Sequence, residues 1–349
     1  MPHVKQAFSP APPFSRRALL ASTASLLSCA RDRRPRLNVY NWSSYVDPAM
    51  LARFEQERGV RLRYGTYESN EEMLAKVLTG NSGWDVIFPT HSRLAPMARN
   101  GLIASLDHTK LPSLKNLGVR FQHPPWDQPL QWGVPYMWNA TGIAYNRSQM
   151  SGPRTWDGLW NPALRGRLTM LDDPEDAIGA CLLKLGYPFG STDEGQLHAA
   201  KSTAIAQKKL LRAYLNAEVR DQLVSGDVLA AQLWSTTTAQ AIKGNPNVAF
   251  AYPEEGYPLY CDCAAILRES KRYELAHEFL EFLLQPDVAA KNARAGETAT
   301  ANGAAQSLLP NDPVLYPPDN IYDRGIWPTP LPSAAQRYRD RLWTEIKSA

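Results

Sequence analysis

From residue 37 to residue 88 the apolar positions switch repeatedly between a period of two and a helical period. Leu37-Asn38-Val39-Tyr40-Asn41-Trp42 alternates and predicts a strand that leaves the fold at Trp42. Asp47-Pro48 supplies a helix cap and a first-turn proline, and Met50, Leu51 and Phe54 up to Gly59 predict a short amphipathic helix. Val60 to Tyr64 alternates again. Ser69 opens a second helix with Met73, Leu74, Val77 and Leu78 inward and Gly80 at its end. Trp84-Asp85-Val86-Ile87-Phe88 predicts an apolar strand stopping at Pro89. This β-α-β-α-β order predicts an α/β fold with an open, mostly parallel sheet. In such sheets ligands bind beyond the carboxyl ends of the strands. Those ends carry Asn41 to Tyr45 and Pro89-Thr90-His91-Ser92.

A second α/β region is predicted from about Thr141 to Asp262. It has a strand at Leu168 to Leu171 and an acidic turn, Asp172-Asp173-Pro174-Glu175-Asp176, that opens a helix over Ala177 to Leu185. A further strand ends in Trp234. Ala264 to Arg268 and a helix over Tyr273 to Leu284 read as a return to the first region. Ser333 to Lys347 reads as a closing helix with Tyr338, Leu342 and Ile346 on one face, and the proline-rich stretch 310–332 reads as surface connections.

The length of 349 residues suits about two domains. Ten Trp and fifteen Tyr against nine Phe favour side chains that pair an apolar face with a polar tip, which suits pockets as well as cores. The net charge is +4, and the first 28 residues supply three of those charges through Lys5, Arg16 and Arg17 with no acid. The remainder is nearly neutral and has no basic stripe, which argues against nucleic acid as a partner. Arg31, Arg33, Arg34 and Arg36 read as a solvated linker; the other reading is a tether that touches anionic lipid.

Residues 1–28 read as a signal peptide. Ser15-Arg16-Arg17-Ala18-Leu19-Leu20 resembles the twin-arginine export motif, and the apolar run Ala18 to Ser28 falls far short of the ~20 residues that span a bilayer. Leu26-Leu27-Ser28-Cys29 resembles a bacterial lipobox, which makes Cys29 the lipidation site; the other reading is an ordinary signal with a nearby thiol. Cys181, Cys261 and Cys263 read as buried small hydrophobes, since a disulfide between residues two apart on one strand is strained. No phosphate-binding glycine loop, no His-Glu-x-x-His and no Gly-x-Ser-x-Gly occurs. The six histidines show no metal-ligand spacing. No catalytic residue, no metal and no cofactor is therefore expected, and the chain does not read as an enzyme. His91 reads either as a ligand contact or as a solvated loop residue.

Several segments in order resemble the bacterial spermidine- and putrescine-binding periplasmic proteins. They are Tyr40-Asn41-Trp42-Ser43-Ser44-Tyr45-Val46, Tyr67-Glu68-Ser69-Asn70-Glu71, Trp84 to Pro89, Val134-Pro135-Tyr136-Met137-Trp138, Leu183 to Tyr187, Phe282 to Val288 and Leu315-Tyr316-Pro317-Pro318. The resemblance spans nearly all of residues 37–349. It implies the two-lobed periplasmic-binding-protein type II fold, with a cleft between lobes. Lobe 1 would comprise 37–140 plus 263–310, and lobe 2 would comprise 141–262 plus 311–349. It further implies a monomeric receptor, periplasmic or held in the cell envelope as a lipoprotein. That receptor closes on a polyamine or related small cation and delivers it to an ABC permease in the inner membrane.

By the same resemblance Trp42 and Tyr45 are aromatic walls, Ser43 a polar contact, and Thr90 and Ser92 part of a ligand loop. Asp173 and Asp176 match an acidic pair, Trp234 an indole wall, and Tyr260 and Asp262 an aromatic-x-Asp whose acid holds an amine. Asp173 also reads as a helix cap, and Trp42 as a core residue. The sequence departs from the family where Ser44 replaces a frequent acid, Ser92 an aromatic, Thr298 a Tyr and Pro328 a Gln, and where Thr237 is not the acid of putrescine binders. Fewer carboxylates favour a ligand with fewer amines. The alternative is a ligand sensor on the same fold for another small cationic or polar solute.

Overall fold

A computed structural model describes residues 34–349, so the signal segment 1–28 and Cys29 lie outside the described residues. Eleven strands join one hydrogen-bonded network. They are β1 (Arg36–Trp42), β2 (Arg61–Tyr67), β3 (Val86–Ile87), β4 (Val134–Asn146), β5 (Leu168–Met170), β6 (Leu211–Tyr214), β7 (Ala230–Trp234), β8 (Val248–Ala251), β9 (Tyr257–Ile266), β10 (Ala299–Thr300) and β11 (Gly325–Ile326). The order is β2-β1-β3-β9-β4-β7-β5-β6, with β8 and β10 on β4 and β11 on β9. β1 runs parallel to β2 and β3, and β5 runs parallel to β6 and β7. The two parallel groups are bridged by the long strands β4 and β9, which are antiparallel to each other. β9 also pairs with β3, and the far half of β4 pairs with β7 and β8.

The helices of nine residues or more are α1 (Pro48–Arg58), α2 (Asn70–Leu78), α3 (His91–Arg99), α4 (Pro174–Lys184), α5 (Glu194–Lys208), α6 (Ser235–Gly244), α7 (Tyr273–Leu283), α8 (Pro286–Gly296) and α9 (Ser333–Ser348). Their starts follow local chemistry. Asp47 accepts from the Ala49 amide ahead of Pro48, and Ser69 accepts from the Glu72 amide. Gly59 ends α1 in the left-handed region that glycine adopts without penalty. Met50 and Phe54 bury the inner face of α1, and Phe54 packs on Phe279 and Phe282 of α7. Each such fully buried side chain contributes about 1.5–3 kcal/mol. α4 and α5 pack with α9 through Ile178, Leu182, Leu197, Leu342 and Ile346.

Three details differ from the sequence expectation. Leu78 is 62% exposed, whereas Met73 and Val77 of α2 are buried and Leu74 packs partly buried against the core. α4 begins at Pro174 rather than Ala177, so Glu175 and Asp176 belong to its first turn and Asp173 is its N-cap. The stretch 310–332 is not merely surface, since Tyr322 is buried and Trp327 packs on Trp126 at 4.6 Å. Cys181, Cys261 and Cys263 are buried thiols. Among the described residues, no helix is long and apolar enough to cross a membrane.

Candidate ligand-binding cleft

The carboxyl ends of β1, β3, β5 and β7 and the middle of β9 converge on one site. Trp42 ends β1, and its indole N–H donates to the Phe88 carbonyl at 2.8 Å. The Tyr67 hydroxyl donates to the same oxygen at 2.7 Å. These two bonds tie the end of β1 to the end of β3. The Trp42 ring lies 4.8 Å from Tyr67 and 6.5 Å from Tyr45. Ser44 takes a left-handed conformation (φ 61°), which turns Tyr45 back beside Trp42. The Tyr136 hydroxyl then fixes the Tyr45 carbonyl at 2.6 Å. Ser43 spends its hydroxyl on Glu68.

Asp262 is buried in β9. Its Oδ1 accepts from the Thr90 hydroxyl at 2.8 Å, and Thr90 in turn accepts from Asn70 Nδ2 at 3.0 Å. Burial raises the Asp262 carboxyl to about 7, with the Thr90 and Tyr45 hydroxyls holding it back from a larger shift. Burial, with Asp262 as neighbour, also pushes Tyr45 well above the usual phenol range. Ser92 lies half-buried in the first turn of α3.

The opposite wall is the N-terminus of α4. Asp173 accepts from the Glu175 and Asp176 amides at 2.8 and 3.0 Å, so it caps the helix. Asp176 is buried, and its Oδ1 accepts from the Tyr260 hydroxyl at 3.1 Å. Its carboxyl is held well above the usual range by burial first and by Asp173 and Glu175 next. Burial also raises Glu175 to about 7, while Arg93 and Arg339 offset part of that shift. The three acids at this helix start are thus all raised by burial and favour their neutral forms until a cation joins them. Trp234, at the end of β7, stands half-buried beside this wall as the residue before α6.

The structure therefore brings Trp42, Tyr45, Thr90 and Asp262 together on one side and joins Tyr260 to Asp176 across to the other. A profile of bacterial extracellular solute-binding proteins matches residues 49–315. The spermidine/putrescine-binding periplasmic protein of Escherichia coli is 31% identical over 94% of this chain and 97% of its own. The chain belongs to the bacterial extracellular solute-binding protein family. Another relative, a putrescine-binding periplasmic protein of Pseudomonas aeruginosa, is 30% identical over 94% of this chain and 96% of its own. A spermidine/putrescine ABC transporter substrate-binding protein of Streptococcus pneumoniae has a crystal structure that superposes with a TM-score of 0.83 at 26% identity. That match covers 90% of this chain and 99% of the other. The fold is the two-lobed type II periplasmic binding fold, with its cleft between the lobes.

Beside the residues expected from the sequence, the structure places further polar side chains in this region. Glu175, which the sequence pattern puts in a turn, belongs to the first turn of α4, because that helix starts three residues earlier than the apolar pattern predicts. Asn139 and Thr141 lie on the cleft face of β4, opposite Tyr260 and Trp234, and only the strand register reveals this. His91 is neither a ligand contact nor solvated: it is buried 4.7 Å from Trp126 and 5.3 Å from Trp327. Its Nδ1 accepts from the Cys261 amide at 3.3 Å, which leaves Nε2–H to donate to the Pro328 carbonyl at 3.0 Å. Burial lowers it to about 4. Thr298 contacts the Thr236 hydroxyl at 3.0 Å and is buried. Among the described residues, no group of three or more His, Cys, Asp or Glu is arranged to hold a metal ion.

Proposed function

We propose that this chain is the exported substrate-binding component of a polyamine ABC importer, and that its cargo is a short linear diamine. The observation that carries the reading is the pair of buried acids, Asp262 and Asp176, both raised by burial and both flanked by aromatic rings. An alkyl-ammonium supplies the charge each acid lacks and lays its methylenes on the rings, with cation–π contacts worth ~0.5–2 kcal/mol each. Tyr260 and Asp262 stand two residues apart on β9, about 7 Å along the strand, and Tyr260 extends its side chain to reach Asp176. Two buried acids, one reached through Tyr260 and one on β9 itself, answer the two ammonium groups of a diamine.

In this reading Trp42, Tyr45 and Trp234 wall the chain, Ser43 and Ser92 line the rim, Thr90 orients Asp262, and Asp173 caps α4 while adding field. The lobes are 37–140 plus 263–310 and 141–262 plus 311–349, hinged where β4 and β9 cross. The protein performs no reaction; it works as a monomer in the periplasm or as a lipoprotein anchored through Cys29, leaves the cytoplasm by the signal of residues 1–28, and docks on an inner-membrane permease. Support comes from the relatives, which are spermidine/putrescine- and putrescine-binding periplasmic proteins, and from the acid pair. Calorimetric titration of the purified protein with 1,4-diaminobutane, 1,5-diaminopentane, spermidine and a neutral amino acid tests the reading. One-to-one binding of a diamine, weakened at least tenfold in Trp42→Ala and hundredfold in Asp262→Ala, is expected. No binding of any amine by folded, ligand-free protein would overturn it.

A further inference from the structure

The ladder between β4 and β9 sets Asn139 opposite Tyr260, and the ladder between β4 and β7 sets Thr141 opposite Trp234. Residues two apart on a strand share a face, so Asn139 and Thr141 both project toward the cleft side that carries Tyr260, Asp262 and Trp234. Thr141 is fully buried. Its Oγ1 and the Asn139 Oδ1 are both buried atoms without a hydrogen-bond partner among the described residues. Buried polar atoms are rarely left unpaired, so two on one face, beside a buried carboxyl, call for a donor that the protein does not supply. The Thr141 hydroxyl lies near enough to Asp176 to lower its pKa, which places both at the same end of the cleft.

We propose that Asn139, Thr141 and Asp176 form a three-acceptor seat for a primary ammonium, and that this seat selects and orients the cargo. The proposal rests on the diamine-receptor reading above and deepens it. A primary ammonium carries three N–H donors and no acceptor. Asp176 Oδ1 accepts from the Tyr260 hydroxyl, and the Thr141 hydroxyl also turns toward this carboxyl, which leaves lone pairs on both Asp176 and the Thr141 oxygen for the ligand. The Asn139 carbonyl and the Thr141 oxygen supply the other two acceptors. The Asp262 end is built differently: its Oδ1 already receives the Thr90 hydroxyl, and the Tyr45 hydroxyl faces it. That end offers charge but fewer free lone pairs. An unsymmetrical ligand therefore seats its unsubstituted amine at Asp176 and any substituted nitrogen at Asp262.

The test measures the affinities of 1,4-diaminobutane, its mono-quaternary analogue (one trimethylammonium end) and its bis-quaternary analogue for the full protein. Wild type is expected to hold the first two within about tenfold and to lose the third by at least a hundredfold. Asn139→Leu keeps the volume and removes the acceptor, and Thr141→Val is nearly isosteric. Each is expected to weaken diaminobutane about tenfold and to shrink the preference for a primary over a quaternary end. Should Asn139→Leu fail to fold, judged by its ligand-free melting temperature, Thr141→Val reads the same preference. Variants with wild-type affinity and unchanged preference, alongside an Asp262→Asn that still weakens binding, would overturn the seat and leave the receptor reading standing. Wild-type protein that binds none of the three amines would overturn both.

Discussion

Asp262 makes the cleft's affinity for a cation depend on pH. Without ligand its carboxyl is raised to about 7 by burial, so below pH 7 it holds a proton. An arriving ammonium, itself charged up to about pH 10, must expel that proton. The Asp262 contribution to affinity is therefore complete well above pH 7 and falls as pH drops through it, by about 1.4 kcal/mol or tenfold per unit. Between pH 7 and pH 5 the loss is about 2.3 kcal/mol, roughly fiftyfold, because the carboxyl is already half protonated at pH 7. Asp176, also raised by burial, adds a second proton and steepens the slope wherever both acids are protonated. The ligand-free fold shows the opposite sign. A carboxyl whose folded pKa lies above its unfolded value stabilises most below pH 4, and about 4 kcal/mol is lost between pH 4 and pH 7. Calorimetry from pH 5 to pH 8, in buffers of different ionisation enthalpy, reads both the affinity and the protons released. Asp262→Asn should lower the slope by one. A flat profile, or an unchanged slope in Asp262→Asn, would refute the reasoning.

Two further outcomes concern the scaffold. His91 is held neutral near 4 by burial, below its unfolded value of 6.5, so the stability it protects is complete above pH 6.5 and lost as pH falls toward 4, by roughly 3 kcal/mol. His91→Leu should remove that acid sensitivity in urea titrations. At neutral pH it should cost about 2–4 kcal/mol, because it strands the Cys261 amide and the Pro328 carbonyl. Gly179 of α4 faces the Phe189 ring, and a Cβ built there falls 2.0 Å from Phe189 Cε2. Gly179→Ala should destabilise by about 1–3 kcal/mol through overpacking, and melting temperature checks it. It should weaken diamine binding only modestly, since Asp176 lies one turn away.

The legible parts of this chain are those whose physics is local. The Asp47-Pro48 cap, the Gly59 stop and the alternation of β1 each depend on a few adjacent residues, and each lies where the pattern placed it. Tyr260 and Asp262 alternate with Cys261 and Cys263, so the strand period alone sets the two pairs on opposite faces of β9. What stayed hidden is set by partners far along the chain. Leu78 looked internal by helical spacing, yet nothing covers it. His91 looked like a loop residue, because its surroundings come from Trp126, Cys261, Trp327 and Pro328. Asn139 and Thr141 carry no signature of their own in an apolar strand, and only the pairing with β9 and β7 brings them to the cleft.

The interleaving of the strands also bears on how the chain folds. β1 and β2 pair early in the sequence, but β3 meets its other neighbour only when Val86 finds Ile266 and Ile87 finds Ala265. β4 likewise waits for Tyr260 and Asp262 before its central ladder exists. Such pairings close very long loops, and folding slows as the sequence separation of contacts grows. A nascent chain released up to residue 250 has neither a finished sheet on its first side nor a floor to its cleft. Refolding should thus end in a late step in which β9 docks between β3 and β4, and ligand-binding competence should appear only with that step.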